Sequence, residues 1–392
     1  MTSGRQTSIV RSCLAALWQL GLLPTPKLSV LLDRAAEVEA DAAVGKRPPW
    51  RVAFELLVAS VRGEAALNEI GLTFAYVQLA GLLRLRQRLE RHWRTNPAIL
   101  ALPIERPVIV LGHMRSGTTR LQRLLGCDPR FNHTRFYEVM NPLPAWLDLR
   151  IPSSWAQLKL LSALNPALNA VHPTSATAVE EAFGLLSFSF YGAQFEAQWR
   201  VPDFARVWQT QDRTWVYREF KQLVQTLASP RRNGSNPWVL KAPQFMEDLE
   251  PLLKVFPDAR VILLNRDLEE VVASSASLVW NQMKLQSDDV DRQWIGTEWL
   301  NKTVLREKAC MSVLGARPDI PRIDVAFDAM SEDWLAEMHR IYAFLGLELT
   351  DFVERRMRRY LHKAERSGFR GHAYAPEDFG LSAKRVRNAF GG

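Results

Sequence analysis

Val108-Ile-Val-Leu-Gly-His-Met-Arg-Ser-Gly-Thr-Thr119 decides how this chain is read. Four aliphatic residues predict a buried strand, and the glycine-spaced loop after it opens a helix. Such a loop turns backbone N–H groups and a helix N-terminus toward an anion, usually a phosphate. The spacing Gly112-x-x-x-x-Gly117 is that of a phosphate-binding loop, yet Thr118 stands where a kinase has its lysine. The loop's one arginine or lysine is Arg115. This combination implies a phosphorylated donor handled by chemistry other than a kinase's.

Around the loop, short apolar runs alternate with helical patterns. Val108–Leu111, Trp238–Leu240, Arg260–Leu264 and Ile323–Phe327 are the predicted strands. They lead into predicted helices at Thr118–Leu125, Met246–Phe256, Glu269–Leu278 and Glu332–Leu345. The alternation predicts an α/β fold, with a P-loop-type parallel sheet flanked by helices. Ligands of such sheets bind beyond the carboxyl ends of the strands, where these four deliver Arg115, Lys241, Arg266 and Phe327. Residues 1–105 read as an N-terminal helical region, including a helix over Phe74–Arg94, and 106–392 as the P-loop domain. Within that domain, residues from about 140 to 235 show no clear strand and crowd Phe183, Phe188, Phe190, Tyr191, Phe195 and Trp199 together. They predict a helical insertion serving as lid or substrate-binding region.

The 392 residues suffice for a large core, and 47% hydrophobic with 23% charged residues is an ordinary globular composition. Fifty Lys and Arg against 42 acidic residues leave +8, which suits an anionic ligand, nucleic acid or a membrane surface. The densest basic run, Arg355 to Arg370, lacks the repeated aromatics that stack bases, which argues against nucleic acid. Cys13, Cys127 and Cys310 are odd in number and scattered, with neither a disulfide framework nor zinc spacing. A reducing, cytoplasmic setting follows. No apolar run approaches the ~20 residues that span a bilayer. Arg5 and Arg11 precede the uncharged stretch Ser12 to Pro26, but Trp18, Gln19 and two prolines sit where a signal peptide needs its apolar core and cleavage site. The start of the chain therefore reads as an amphipathic helix, packed on the body or touching a membrane surface.

The strand Arg260–Leu264 ends in Asn265-Arg266, where a magnesium-dependent nucleotidase would place a metal-binding aspartate. Ser274 follows eight residues after Arg266, two turns into the next helix. The pair can grip a second phosphate; equally, Arg266 can simply pair with Asp267 or Glu270.

Four segments, RPVIVLGHMRSGTTRLQRLLGCDP, WVLKAPQFMEDLEPLLKVFPDARVILLNRDLEEVVASSASL, RIDVAFDAM and GHAYAPEDFGLSAKRV, together resemble the sulfotransferases that use 3′-phosphoadenosine 5′-phosphosulfate. The resemblance runs from about residue 70 to the C-terminus and is greatest to the bacterial branch with a P-R-S/T-G-T-T loop. It implies that Gly112, Arg115, Ser116, Gly117, Thr118 and Thr119 cradle the 5′-phosphosulfate, with Arg115 as the loop's cation. Arg266 and Ser274 match the family element that holds the 3′-phosphate. Phe327 lies where the family often has an aromatic near the adenine, although a core phenylalanine fits there as well. Gly371-His372-Ala373-Tyr374 resembles a C-terminal loop closing over the donor, with Lys363, Arg366 and Arg370 nearby as cations or as ordinary helix-surface charges. Lys241, in a Lys-Ala-Pro turn, resembles the lysine beside the transferred group; the alternative is a solvent-exposed lysine after a strand.

Sulfuryl transfer builds negative charge on the departing phosphate oxygen, which fixed donors and cations stabilise without a metal. Arg115 and Lys241 are the candidates. The acceptor hydroxyl or amine also needs a base. In Phe131-Asn-His-Thr-Arg-Phe-Tyr-Glu138 the acid falls where this branch has a Trp-Glu pair, which makes Glu138 the expected base. Its rivals are His133, His172 and Glu181, while Glu180 fits a capping box with Thr177. One departure stands out: Ala242 and Phe245 replace the serine and histidine of the branch's Lys-Ser-Pro-x-His pattern. The aromatic insertion suggests an apolar or lipid-like small-molecule acceptor. The competing readings are a degenerate P-loop kinase, opposed by Thr118 and Asn265, and a noncatalytic nucleotide-binding or membrane-surface protein, for which Phe245 leaves room.

Overall fold

A computed structural model describes residues 2–41, 47–143, 147–165, 174–366 and 375–391. His172, Arg370 and the Gly371–Tyr374 loop lie outside the described residues. Five strands, β1 (Val108–Leu111), β2 (Asn132–His133), β3 (Trp238–Lys241), β4 (Arg260–Asn265) and β5 (Arg322–Ala326), form one sheet in the order β2-β3-β1-β4-β5. Every pairing is parallel. The central strand β1 is buried along its whole length, as a strand covered on both faces must be. Ile109 and Leu111 enter one apolar core and Val108 and Val110 the other, following the two-residue period of a strand.

Four helices precede the sheet: α1 (Thr2–Gln19), α2 (Val30–Asp41), α3 (Pro49–Glu64) and α4 (Glu69–Thr95). Asn68 starts α4 by accepting a hydrogen bond from Gly71 N at 3.0 Å. α1 is fastened by Arg11, which bonds Glu69 of α4 and Asp288. Beyond β1 follow α5 (Thr118–Leu125), α6 (Phe136–Met140) and α7 (Arg150–Leu164). No helix among the described residues is long and apolar enough to cross a membrane.

Five features differ from the expectations. Strand β2 was not anticipated, because two polar residues carry no alternation. Phe327 does not end a strand but begins the helix Phe327–Glu332, after β5 has stopped at Ala326. The predicted helix Glu332–Leu345 breaks at Asp333, whose side chain accepts from Leu335 N and Ala336 N and so caps a new helix, Trp334–Phe344. The predicted helix Met246–Phe256 is a 3₁₀ turn, Pro243–Met246, followed by the helix Leu249–Val255. The insertion is helical as expected, but Phe188, Phe190, Tyr191, Phe195 and Trp199 are buried. Phe190 packs on Trp50 and Phe54 of α3, so these aromatics join the N-terminal helices to one face of the sheet. They are core, and the inference from them to an apolar acceptor fails.

Candidate active site

The phosphate loop leaves β1 at Gly112 (φ +150°) and turns through Arg115 (φ +68°) and Gly117 (φ +88°) into α5. Two of these positions require glycine. A Cβ on Gly112 would sit 2.6 Å from Thr118 Cγ2 and 2.9 Å from the Leu264 carbonyl oxygen, and one on Gly117 would sit 2.8 Å from the Phe327 ring. Ser116 Oγ donates to His113 O at 2.7 Å, so this hydroxyl shapes the loop from within. His113 Nε2 in turn lies 2.8 Å from Glu307 Oε2, which ties the loop to the helix Arg292–Ala316. The first amides of α5 have no intrahelical partner, which suits a helix N-terminus to an anion.

The residues assigned to the two phosphates converge. Arg115 Nε donates to Ser274 Oγ at 3.0 Å, and Arg266 Nη1 donates to Arg115 O at 2.6 Å. Arg266 also lies over the Phe327 ring, 4.1 Å from its centroid, and pairs with Glu270. The two readings of Arg266 therefore meet in one residue: it holds the salt bridge and stands against the phosphate loop. Glu270 is mostly exposed, so that pairing is weak and readily exchanged.

A second cluster sits beside the first. Lys241 ends β3 and is buried, not solvent-exposed. It forms an ion pair with Glu181, and Thr119 Oγ1 donates to the same carboxylate at 2.9 Å. Lys241 Nζ and Thr119 Oγ1 are 3.5 Å apart. Backbone bonds fix this geometry. Ala182 N donates to Lys241 O at 2.8 Å, and Glu180 O accepts from Gln122 Nε2 of α5 and from Thr134 Oγ1. Glycine loop, β3 lysine and carboxylate thus come from three elements that meet beyond the strand ends. Anion cradle, buried cation and neighbouring carboxylate suit transfer of an anionic group to a nucleophile.

Residues 107–351 match the model of a sulfotransferase family. The chain belongs to that family. Sulfotransferase STF1 from Mycobacterium tuberculosis H37Rv is similar in structure, with a TM-score of 0.77 and 26% identity over 91% of this chain and 98% of that one. Sulfotransferase STF9 from Mycobacterium avium gives 0.78 and 25% over 91% and 94%. No curated protein matches in sequence.

In this sulfotransferase Glu138 does not join the cluster. It lies in α6, where Arg231 Nη2 reaches both carboxylate oxygens at 2.7 Å and Arg135 N donates to Oε2 at 2.9 Å. Its carboxylate caps a helix and neutralises an arginine beside the edge strand β2. His133 shares that surrounding; burial first, then the charges of Arg135, Arg231 and Arg356, push its pKa down to about 3. Glu180 accepts from Thr174 Oγ1 and from Glu181 N, and no helix follows Thr177 for a capping box to start. Phe245 is fully buried against Tyr217 and Phe220, so its position belongs to the core here. Glu181, a rival to Glu138 in the sequence, is the acid that the structure brings to Lys241 and Thr119; its sequence signal was an acid with no structural role to absorb it. Among the described residues no group of three or more His, Cys, Asp or Glu is arranged to hold a metal.

Proposed function

We propose that the enzyme transfers the sulfuryl group of 3′-phosphoadenosine 5′-phosphosulfate to a hydroxyl or amine acceptor, with Glu181 as the base. The observation that carries this reading is the single carboxylate shared by Lys241 and Thr119 beside the phosphate loop. The cradle suits a phosphosulfate, because a glycine-turned loop carrying Arg115 leads into a helix N-terminus. Arg115 and the first amides of α5 would hold the 5′ end, Arg266 and Ser274 the 3′-phosphate, and Phe327 would back the adenosine. In the step itself the acceptor oxygen bonds to sulfur as the bond from sulfur to the 5′-phosphate oxygen breaks. The electron pair stays on that oxygen, beside Arg115 and the N-terminus of α5, and the acceptor proton passes to Glu181. Lys241 stands where it can neutralise the group in flight.

Contact with a membrane surface is part of the same proposal. α1 and its following turn expose Ile9, Leu20, Leu22 and Leu23, and α7, which touches α1, exposes Ile151, Trp155 and Leu160. Cosedimentation with anionic vesicles tests it; a protein left wholly in the supernatant rejects it. Donor use is tested by thermal shift. Adenosine 3′,5′-bisphosphate should raise the melting temperature without magnesium, and stabilisation by magnesium–ATP alone would reject the donor assignment. Transfer of labelled sulfate to a panel of acceptors then separates an enzyme from a protein that only binds the nucleotide.

A further inference from the structure

A cavity of about 460 Å³, within the ~300–1,000 Å³ typical of small-molecule sites, opens at the end of α5 remote from the phosphate loop. Gly126 and Asp128 line it, whereas no residue of Gly112–Thr119 does. The eight residues of α5 put ~12 Å between its two ends, so the cavity is not an extension of the donor cradle.

Its wall is cationic. Arg135, Arg150, Arg231 and Arg356 face it, against Asp128 and Glu138. Both carboxylates are already matched. Asp128 accepts from Arg130 at 2.8 Å and from the Tyr342 hydroxyl at 2.9 Å, and Glu138 is held by Arg231 at 2.7 Å. Arg150 is forked onto Asp148 at 2.8 and 2.7 Å. Arg135 and Arg356 remain. Arg135 reaches only the Tyr137 hydroxyl at 3.4 Å, and Arg356 lies 5.5 Å from the Phe352 ring centroid. Neither has a carboxylate partner among the described residues.

Three of these guanidinium groups act on one side chain. His133 Nδ1 is buried on the same wall without a hydrogen-bond partner, and Arg135, Arg231 and Arg356 all help keep its ring neutral. A buried imidazole nitrogen without a partner is costly unless a ligand completes it. The last carbonyls of α5 are already bonded, since Cys127 N and Asp128 N donate to Leu124 O and Leu125 O. The helix's negative end is therefore partly satisfied before any ligand arrives. Phe131, Leu227, Pro142 and Pro230 add apolar surface beside the charges.

We propose that this cavity binds a small organic phosphate monoester, its dianionic head between Arg135 and Arg356, its third partner His133 Nδ1, and its organic body against Phe131 and Leu227. Two unmatched arginines balance two negative charges, and their planar forks fit phosphate oxygens. The assignment does not rest on the sulfuryl-transfer reading.

The test is calorimetric titration of the full chain with phenyl phosphate, and with benzoate as a monoanion of similar body. Arg115→Ala, which disables the donor loop, should leave a phenyl phosphate site intact. The double variant Arg135→Ala, Arg356→Ala should lose that site, with affinity falling ~tenfold or more, the worth of one charged hydrogen bond. Both arginines are exposed, and an unchanged melting temperature will show that the double variant is folded. The ¹⁵N signals of His133, identified through His133→Gln, should shift with ligand in the parent and stay fixed in the double variant. Binding that disappears in Arg115→Ala but survives in the double variant would place phenyl phosphate in the donor loop and overturn the proposal. Equal affinity for benzoate would overturn the dianion assignment, and no binding at all would overturn both.

Discussion

Lys241 and Glu181 are joined in an ion pair beyond the end of β3, and Thr119 from the first turn of α5 donates to the same carboxylate. The lysine is buried, and a buried charge needs a partner. Glu181 thereby connects the helix that follows the glycine loop with the strand that delivers the cation. Removing the carboxyl charge while keeping its shape should therefore affect turnover far more than donor affinity. Glu181→Gln is expected to lower turnover ~10²-fold or more and to leave adenosine 3′,5′-bisphosphate affinity within a factor of about three, as loss of a general base does. Labelled-sulfate transfer with parallel calorimetry checks both halves. Near-normal turnover would remove Glu181 from the chemistry.

Glu138 provides the contrast. Its carboxylate answers Arg231 and the backbone of Arg135, and both oxygens are taken. Glu138→Ala should leave kcat within about threefold of the parent while costing ~2–3 kcal/mol of stability, because Arg231 loses its counter-charge and α6 its cap. Urea unfolding and steady-state kinetics on the same preparation decide it. A large loss of kcat with unchanged stability would restore Glu138 as the base.

Most of the fold was legible because parallel strands buried on both faces declare themselves as apolar runs. Val108–Leu111 shows this, with β3 and β4 beside it. That Arg115, Arg266 and Ser274 meet at the glycine loop was legible because glycine, arginine and serine stand at fixed spacings after strand ends. What escaped was long-range. Nothing local says that Glu181, in a segment without regular structure, meets Lys241 some sixty residues later in the chain. Glu138 was favoured on sequence position alone, while its partner Arg231 lies 93 residues away. The aromatics from Phe188 to Trp199 likewise gave composition without address, and only packing on α3 identifies them as core.

Phe327 and Gly117 form the floor on which Arg266 rests. A methyl group at Gly117 would meet the phenyl ring at 2.8 Å and also impose a φ that side chains avoid. Gly117→Ala is expected to weaken bisphosphate binding ~tenfold or more, and Arg266→Ala by a similar factor through loss of a charge-assisted phosphate contact. Calorimetric titration reads both. Unchanged affinity in Arg266→Ala would leave that arginine as a surface salt bridge to Glu270.

Phe245 marks where the chain departs from the Lys-Ser-Pro-x-His pattern. Its ring packs 5.7 Å from Phe220 and 6.1 Å from Tyr217, centroid to centroid. Restoring histidine there should not improve turnover. Phe245→His places a polar ring among aromatics and should cost ~2–4 kcal/mol by lost packing and an unmet hydrogen bond. A rise in kcat without loss of stability would contradict this account of the site.

His133 supplies a pH test that kinetics cannot blur. Burial and three arginines hold its pKa at about 3, against ~6.5 in an unfolded chain. Between those values the unfolded state binds the extra proton, so stability falls as pH drops. The contribution is fully present above pH ~6.5 and is lost toward pH ~3, at up to ~1.4 kcal/mol per pH unit. Other titrating groups are common to parent and variant, so comparison with His133→Gln isolates this ring. From pH 7.5 to pH 4.5 the parent should lose ~2 kcal/mol more than the variant, after allowance for the ring's partial exposure. Urea unfolding across that range measures the difference. A constant gap between the two proteins would mean that His133 titrates normally in the fold.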